Sequence, residues 1–320
     1  MTDNQLAIVF PGQGSQTVGM LADISNLYPQ PVQETFAQAS EALGYDLWKL
    51  VQNGPAEELD KTVHTQPALL AASYAIWRII RSSSAINPAM LAGHSLGEYT
   101  ALVCANALAF QDAIKLVAAR GQFMQEAVAP GVGAMAALIG LEGQAVNTIC
   151  QQARLSSEEV LSPANFNSLG QIVVAGHKAA VDRAIILAKE QGARLAMLIP
   201  VSVPSHCQLM QPAAQRLAEL LSSVSIQSPH IPVINNVDAK RYEDTDSIRD
   251  GLVRQLYMPV QWVGTIQHFI SSGVTQIIEC GPGKVLSGLI KRIDKNLQLL
   301  ATSDAASVEI LLKLENARSA

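Results

Sequence analysis

The apolar and polar positions of this chain fall into two rhythms. Leu6-Ala7-Ile8-Val9-Phe10 is an unbroken apolar run that stops at Pro11-Gly12, the pattern of a buried strand running into a glycine-rich loop. Helical spacing follows over 31–43 and 56–59. The stretch 66–81 is a longer helix with apolar residues on every side, which suits a helix packed deep in a large domain. A brief apolar segment at 89–92 leads into Gly93-His94-Ser95-Leu96-Gly97. A nearly uncharged helix is predicted over 98–108. Another is predicted over 110–128, with Asp112 in its first turn and Pro130-Gly131 past its end.

Between 134 and 200 the rhythm changes. Strands at 135–139, 160–164, 171–175 and 195–200 are interleaved with helices at 142–154 and 179–191. Strand, helix, strand, strand, helix, strand is the split βαβ order of a ferredoxin-like unit. It is long enough to form a small inserted subdomain, residues 131–198. Helices then follow at 209–221, 247–256 and 263–270, with strands at 231–235 and 274–279. A helix from 284 onward comes after Gly281-Pro282-Gly283. Strands alternating with helices at both ends of the chain predict an α/β fold. Its parallel-sheet core, covered on both faces, is built from residues 1–130 and 199–320.

Composition narrows the possibilities. Of 320 residues, 49% are apolar and 15% charged, enough apolar surface to bury a core and too little charge for disorder. Lys and Arg number 22 against 27 Asp and Glu, a net charge of -5, which argues against nucleic acid as the principal partner. A basic cluster at Lys284, Lys291, Arg292 and Lys295 reads as a solvated helix face or, less simply, as a docking patch. Cys104, Cys150, Cys207 and Cys280 form no C-x-x-C pair. They predict free thiols in a reducing compartment rather than a zinc site or a disulfide framework. No basic leader precedes an apolar stretch, and the apolar run at 67–77 is short of a membrane span, so a soluble cytoplasmic protein is expected.

The sharpest chemical signal is the G-x-S-x-G at 93–97. A strand-to-helix turn with small residues two before and two after the serine exposes its hydroxyl and aims backbone N–H groups at a developing oxyanion. Ser95 is therefore a candidate nucleophile. For its base, His206 in Val203-Pro204-Ser205-His206 and His268 in a helix are rivals. His206 is placed by this reading at the end of a strand, where active-site residues of α/β sheets gather. Arg120 shares a helical stripe with Ala113, Leu116, Val117, Met124 and Ala127. Buried there, it needs a carboxylate from the protein or from a substrate; at the stripe's edge it could instead reach solvent. Phe10-Pro11-Gly12-Gln13-Gly14-Ser15-Gln16 lacks the ending of a phosphate loop. It is an ordinary turn or a second contributor to an oxyanion hole.

Six segments then combine: Pro11–Gln16, Gly93–Tyr99, Ala119-Arg120-Gly121, Val203–His206, Val233–Asn236 and Gly281–Leu286. In this order and spacing the chain resembles the malonyl-CoA:acyl carrier protein transacylases of bacterial fatty acid synthesis over nearly its whole length. The resemblance implies a hydrolase-like core with the ferredoxin-like insert. It implies Ser95 as nucleophile, His206 as base and Arg120 as the residue holding the malonyl carboxylate. The backbone N–H groups of Gln13 and Leu96 would form the oxyanion hole. The backbone carbonyl of Gln255 would orient His206, giving a dyad without an acid. Malonyl-CoA and acyl carrier protein are the implied partners. Coenzyme A enters as the substrate thioester, without metal or other cofactor, and nothing demands more than a monomer. Leu169 and Cys280 depart from the family's usual residues.

Two other functions are compatible with parts of the pattern. A serine esterase needs the order Ser, acid, His, which Ser95, Asp238 and His268 supply, but no His-Gly-Gly-Gly is present and Arg120 has no role in it. A carrier-protein binding module would leave Ser95 without an acyl-enzyme.

Overall fold

The computed structural model describes residues 3–83, 86–201 and 203–319. Five strands build the main sheet: β1 (Asp3–Phe10), β2 (Pro88–Gly93), β7 (Val233–Ile234), β8 (Gln276–Glu279) and β9 (Gln298–Ala301). Their order is β7-β2-β1-β8-β9, every pairing parallel. Alternation along β1 assigns its two faces. Leu6, Ile8 and Phe10 join the large core formed with the helices Pro29–Leu43, Thr62–Ser83 and Phe110–Glu126. Ala7 and Val9 face the opposite layer, where Trp262, Ile266, Phe269 and Leu289 pack. A sheet buried on both faces explains why β1 is apolar at every position from Leu6 to Phe10.

The second sheet contains β3 (Gly133–Ile139), β4 (Leu161–Ser168), β5 (Gln171–His177) and β6 (Leu195–Leu198). Its order is β4-β5-β3-β6 and all pairings are antiparallel, the ferredoxin-like arrangement. The helices Gly143–Ala153 and Lys178–Glu190 cover one face through Val146, Ile149, Val181 and Ala184. The other face buries Met135, Ala164, Val173 and Ala175 with Cys207. The second sheet is tied to the main unit at Val260, which pairs with β4. Its N–H donates to Ala164 O and its carbonyl accepts from Phe166 N–H, each at 2.9 Å.

Several bounds differ from expectation for local reasons. The helix after Ser95 is Gly97–Cys104 and does not reach 108. Asn106 at φ 58 reverses the chain, and Ala107 N–H closes back on Leu102 O at 2.8 Å. The helix expected from 66 begins at Thr62 and contains Pro67. The helices Ala22–Leu27, Leu47–Asn53 and Ala305–Ser319 and the strand β9 are additional to the elements the pattern predicts. The strand expected at 195–200 is the four-residue β6, an edge of the antiparallel sheet. His206 is therefore not at the end of a parallel strand but on a separate turn. Among the described residues no helix is long and apolar enough to cross a membrane.

Candidate active site

β2 delivers the chain to a tight turn at Ser95, whose φ of 50 lies in the left-handed region. A non-glycine residue held there costs about 1–3 kcal/mol and persists only where its surroundings fix it. The flanking glycines are required by contact. A Cβ on Gly93 would lie 1.8 Å from Gly97 C, and one on Gly97 would lie 2.1 Å from Phe10 O. The 11–16 loop closes on the same turn, since a Cβ on Gly12 would lie 2.5 Å from His94 O. Asn236 pins the turn from the β7 side. Ser95 N–H donates to Asn236 Oδ1 at 2.6 Å, and Asn236 Nδ2 donates to Gly93 O at 2.6 Å.

His206 is also left-handed, at φ 63, and its N–H donates to Leu256 O at 2.9 Å. Its ring spans two partners: Nδ1 lies 2.7 Å from Gln255 O and Nε2 lies 2.9 Å from Ser95 Oγ. A carbonyl can only accept, so Nδ1 carries the proton and Nε2 offers its lone pair to the serine hydroxyl. Burial, reinforced by the nearby Arg120 charge, pulls the imidazole pKa down to about 3. The neutral, basic form is thus the resting one. His94 turns away, its Nε2 2.8 Å from Asn167 Oδ1 on β4. The alternative order fails geometrically. Asp238 is held by Arg254 Nη2 at 2.7 Å, and the side-chain partners of Ser95 Oγ are His206 and Arg120, not His268.

Arg120 is fully buried on the helix Phe110–Glu126. It does not reach solvent, so the edge-of-stripe alternative is excluded. Nη1 donates to Gln66 Oε1 and Nη2 to Gln255 Oε1, both at 2.8 Å, while Nη2 lies 3.3 Å from Ser95 Oγ. The guanidinium stands 5.4 Å from the Tyr99 ring centroid. All of its hydrogen-bond acceptors are neutral, and buried Nε has none. A buried cation beside a serine hydroxyl, hydrogen-bonded only to neutral oxygens, has the chemistry to receive an anion.

Residues 7–315 match the acyl transferase domain family. The chain belongs to that family. It is 55% identical over 310 residues to the malonyl CoA-acyl carrier protein transacylase of Escherichia coli strain K12, covering 97% of this chain and 99% of that one. It also superposes on the crystal structure of an acyl carrier protein S-malonyltransferase from Vibrio cholerae. There the TM-score is 0.93 and the identity 56%, over 96% of this chain and 99% of that chain. A third similar structure is a type II PKS acyl-carrier protein in complex with its malonyl-transacylase. Its TM-score is 0.94 and its identity 51%, over 97% and 99% of the two chains.

Within this acyl transferase fold the remaining expected residues are placed as follows. Ser95 N–H is consumed by Asn236, whereas the N–H groups of Gln13 and Leu96 make no hydrogen bond among the described residues. Gln255 contributes its carbonyl to His206 and its side chain to Arg120. Lys284 lies 3.7 Å from Asp304, and Arg292 donates to Gln171 on an exposed face. Leu169 is 66% exposed on the β4–β5 turn and Cys280 is buried after β8; neither touches the site. Gln66 and Tyr242 lie outside the segments that carry the resemblance, and Glu98 and Asn236 lie inside them without an assigned role. Glu98 carried a visible signal, as the lone acid in an otherwise uncharged helix. Burial pushes its carboxyl up to about 7, against the pull of its three hydrogen-bond donors.

Proposed function

We propose that this chain transfers a malonyl group from malonyl-CoA to the phosphopantetheine thiol of an acyl carrier protein, supplying fatty acid elongation in the cytoplasm. Residues 1–130 and 199–320 act in this reading as the catalytic unit, with 131–198 as its insert. The observation that carries it is Arg120, a buried guanidinium that hydrogen-bonds no carboxylate, 3.3 Å from Ser95 Oγ. The names of the related proteins support the same substrate pair.

His206 Nε2 takes the Ser95 proton as Oγ attacks the malonyl thioester carbonyl. The oxyanion is received by the free N–H groups of Gln13 and Leu96. The C–S bond breaks, and coenzyme A leaves with the proton from His206. The carrier thiol then gives its proton to His206 and attacks the malonyl-serine ester, and Ser95 recovers its proton. Arg120 holds the free carboxylate throughout. An acetyl group would leave the guanidinium without an anion, which disfavours it.

Intact-protein mass spectrometry after mixing with malonyl-CoA tests this. The wild type should gain one malonyl group, Ser95→Ala none, and acetyl-CoA should add little. Holo acyl carrier protein should then discharge the adduct. A malonyl adduct on Ser95→Ala, or free malonate released in place of transfer, would overturn the proposal.

A further inference from the structure

Among the described residues, acyl transfer leaves two buried carboxylates unused, Glu279 at the end of β8 and Glu98 beside Ser95 and Arg120. Glu98 is fully buried on the first turn of the helix Gly97–Cys104. Its oxygens receive the Tyr242 hydroxyl, Gln255 Nε2 at 2.6 Å, and Asn236 N–H at 3.3 and 3.4 Å. Each of these neighbours presents a donor, so Glu98 serves as an acceptor.

The consequence falls on the Gln255 amide. Its Nε2 donates to Glu98 Oε2 at 2.6 Å and to Ser95 O at 2.9 Å. Both amide hydrogens are thereby spent, and Oε1 is left facing Arg120 Nη2 at 2.8 Å. Rotating the amide by half a turn would set its oxygen against two acceptors and its NH2 against a guanidinium. Neither can satisfy the other. Glu98, together with Ser95 O, therefore sets which end of Gln255 the arginine meets.

We propose that Glu98 is a positioning residue for acyl-group selection, acting through the Gln255 side chain to hold Arg120 in place. This rests on the reading of Arg120 as the carboxylate receptor. It is separate from the Gln255 backbone carbonyl, which faces His206.

Two variants separate reach from charge. Glu98→Asp keeps the charge but is one methylene too short for Gln255. Glu98→Gln loses the charge but keeps an oxygen within reach of Gln255 Nε2, with its own NH2 turned to the Tyr242 oxygen. The readout is the malonyl to acetyl ratio of kcat/KM, with thermal melting as the check on folding. Glu98→Asp should lower the ratio about tenfold or more, the worth of one hydrogen bond to a charged group. Glu98→Gln should stay within about threefold of wild type. On an Arg120→Ala background, Glu98→Asp should leave the ratio unchanged. A loss in Glu98→Gln alone would make Glu98 a counter-ion. Equal losses in both would make it a packing residue, and no loss in either would leave Gln255 held by Ser95 O alone. Each of these overturns the proposal. An Arg120→Ala ratio equal to wild type would instead defeat the reading of Arg120 itself.

Discussion

Replacing Arg120 by alanine is the decisive perturbation of specificity. In the free protein the guanidinium is held by two neutral amide oxygens at 2.8 Å, with Nε unpaired and no solvent access. A malonyl carboxylate adds a charge-assisted interaction in that dry environment, and the variant forfeits it. Truncating one member of a buried, hydrogen-bonded charge pair costs about 2–5 kcal/mol. That corresponds to roughly a thirtyfold to several-thousandfold loss in kcat/KM. Acetyl transfer makes no such contact, so its loss should stay below about tenfold, and the malonyl to acetyl ratio should fall by at least about threefold and by up to roughly several-thousandfold. Steady-state transfer from the two thioesters to holo carrier protein measures both. Arg120→Met, which refills much of the volume, should give the same ratio and guards against collapse of the pocket. A parallel fall for both donors would refute the reasoning, because it would make Arg120 a support for the dyad rather than a selector.

Other outcomes follow from the same geometry. Because burial and the Arg120 charge favour neutral His206, the active form persists below the ordinary histidine pKa. The single-turnover acylation rate should therefore stay flat from pH 8 through 6.5 and fall only in more acid solution; a titration centred on 6.5 would contradict this. Gly93→Ala drives a methyl to within 1.8 Å of Gly97 C, where backbone cannot yield, so acylation should vanish and the melting temperature should drop. Gly288→Ala, in the helix Val285–Ile293 with nothing within 4 Å, should instead be neutral or stabilising by about 0.5–1 kcal/mol in urea unfolding.

Those features that depend on local residue identity were legible in the sequence. The Ser95 turn needs Gly93 and Gly97 for close approach, and that need is written in adjacent residues. The ferredoxin-like order could be read because each helix of the insert carries its own apolar stripe. Arg120 stood out because a charge interrupted such a stripe. The supporting network was not legible for the opposite reason. Gln66 meets Arg120 across 54 residues, Asn236 meets Ser95 across 141, and Gln255 meets Glu98 across 157. Nothing in the neighbourhood of any of these residues marks its partner. His206 reaches Ser95 Oγ from a turn and not from a strand end, because β6 reads like any apolar strand and its pairing partner is decided by the insert. β9 escaped notice because it is a short edge strand with partly exposed residues, which leaves a weak apolar signal.

The placement of strain explains why the site lies where the two sheets meet. Ser95 and His206 both sit at positive φ, and neither turn carries glycine at that residue to relieve it. Each is held by a hydrogen bond from a different part of the chain: Asn236 for the serine and Leu256 O for the histidine. Those two anchors lie on the segment 236–261, which also carries Gln255 and Val260. Val260 is paired with β4 of the insert, and Gln261 N–H returns to Asn236 O at 2.7 Å. One stretch of chain, 236–261, therefore restrains the nucleophile, the base and the arginine together, and it is clamped to the insert at its far end. A loosening at Val260 should move all three at once. Through Val260 the insert is thus tied to that segment, and among the described residues no side chain of 131–198 hydrogen-bonds Ser95.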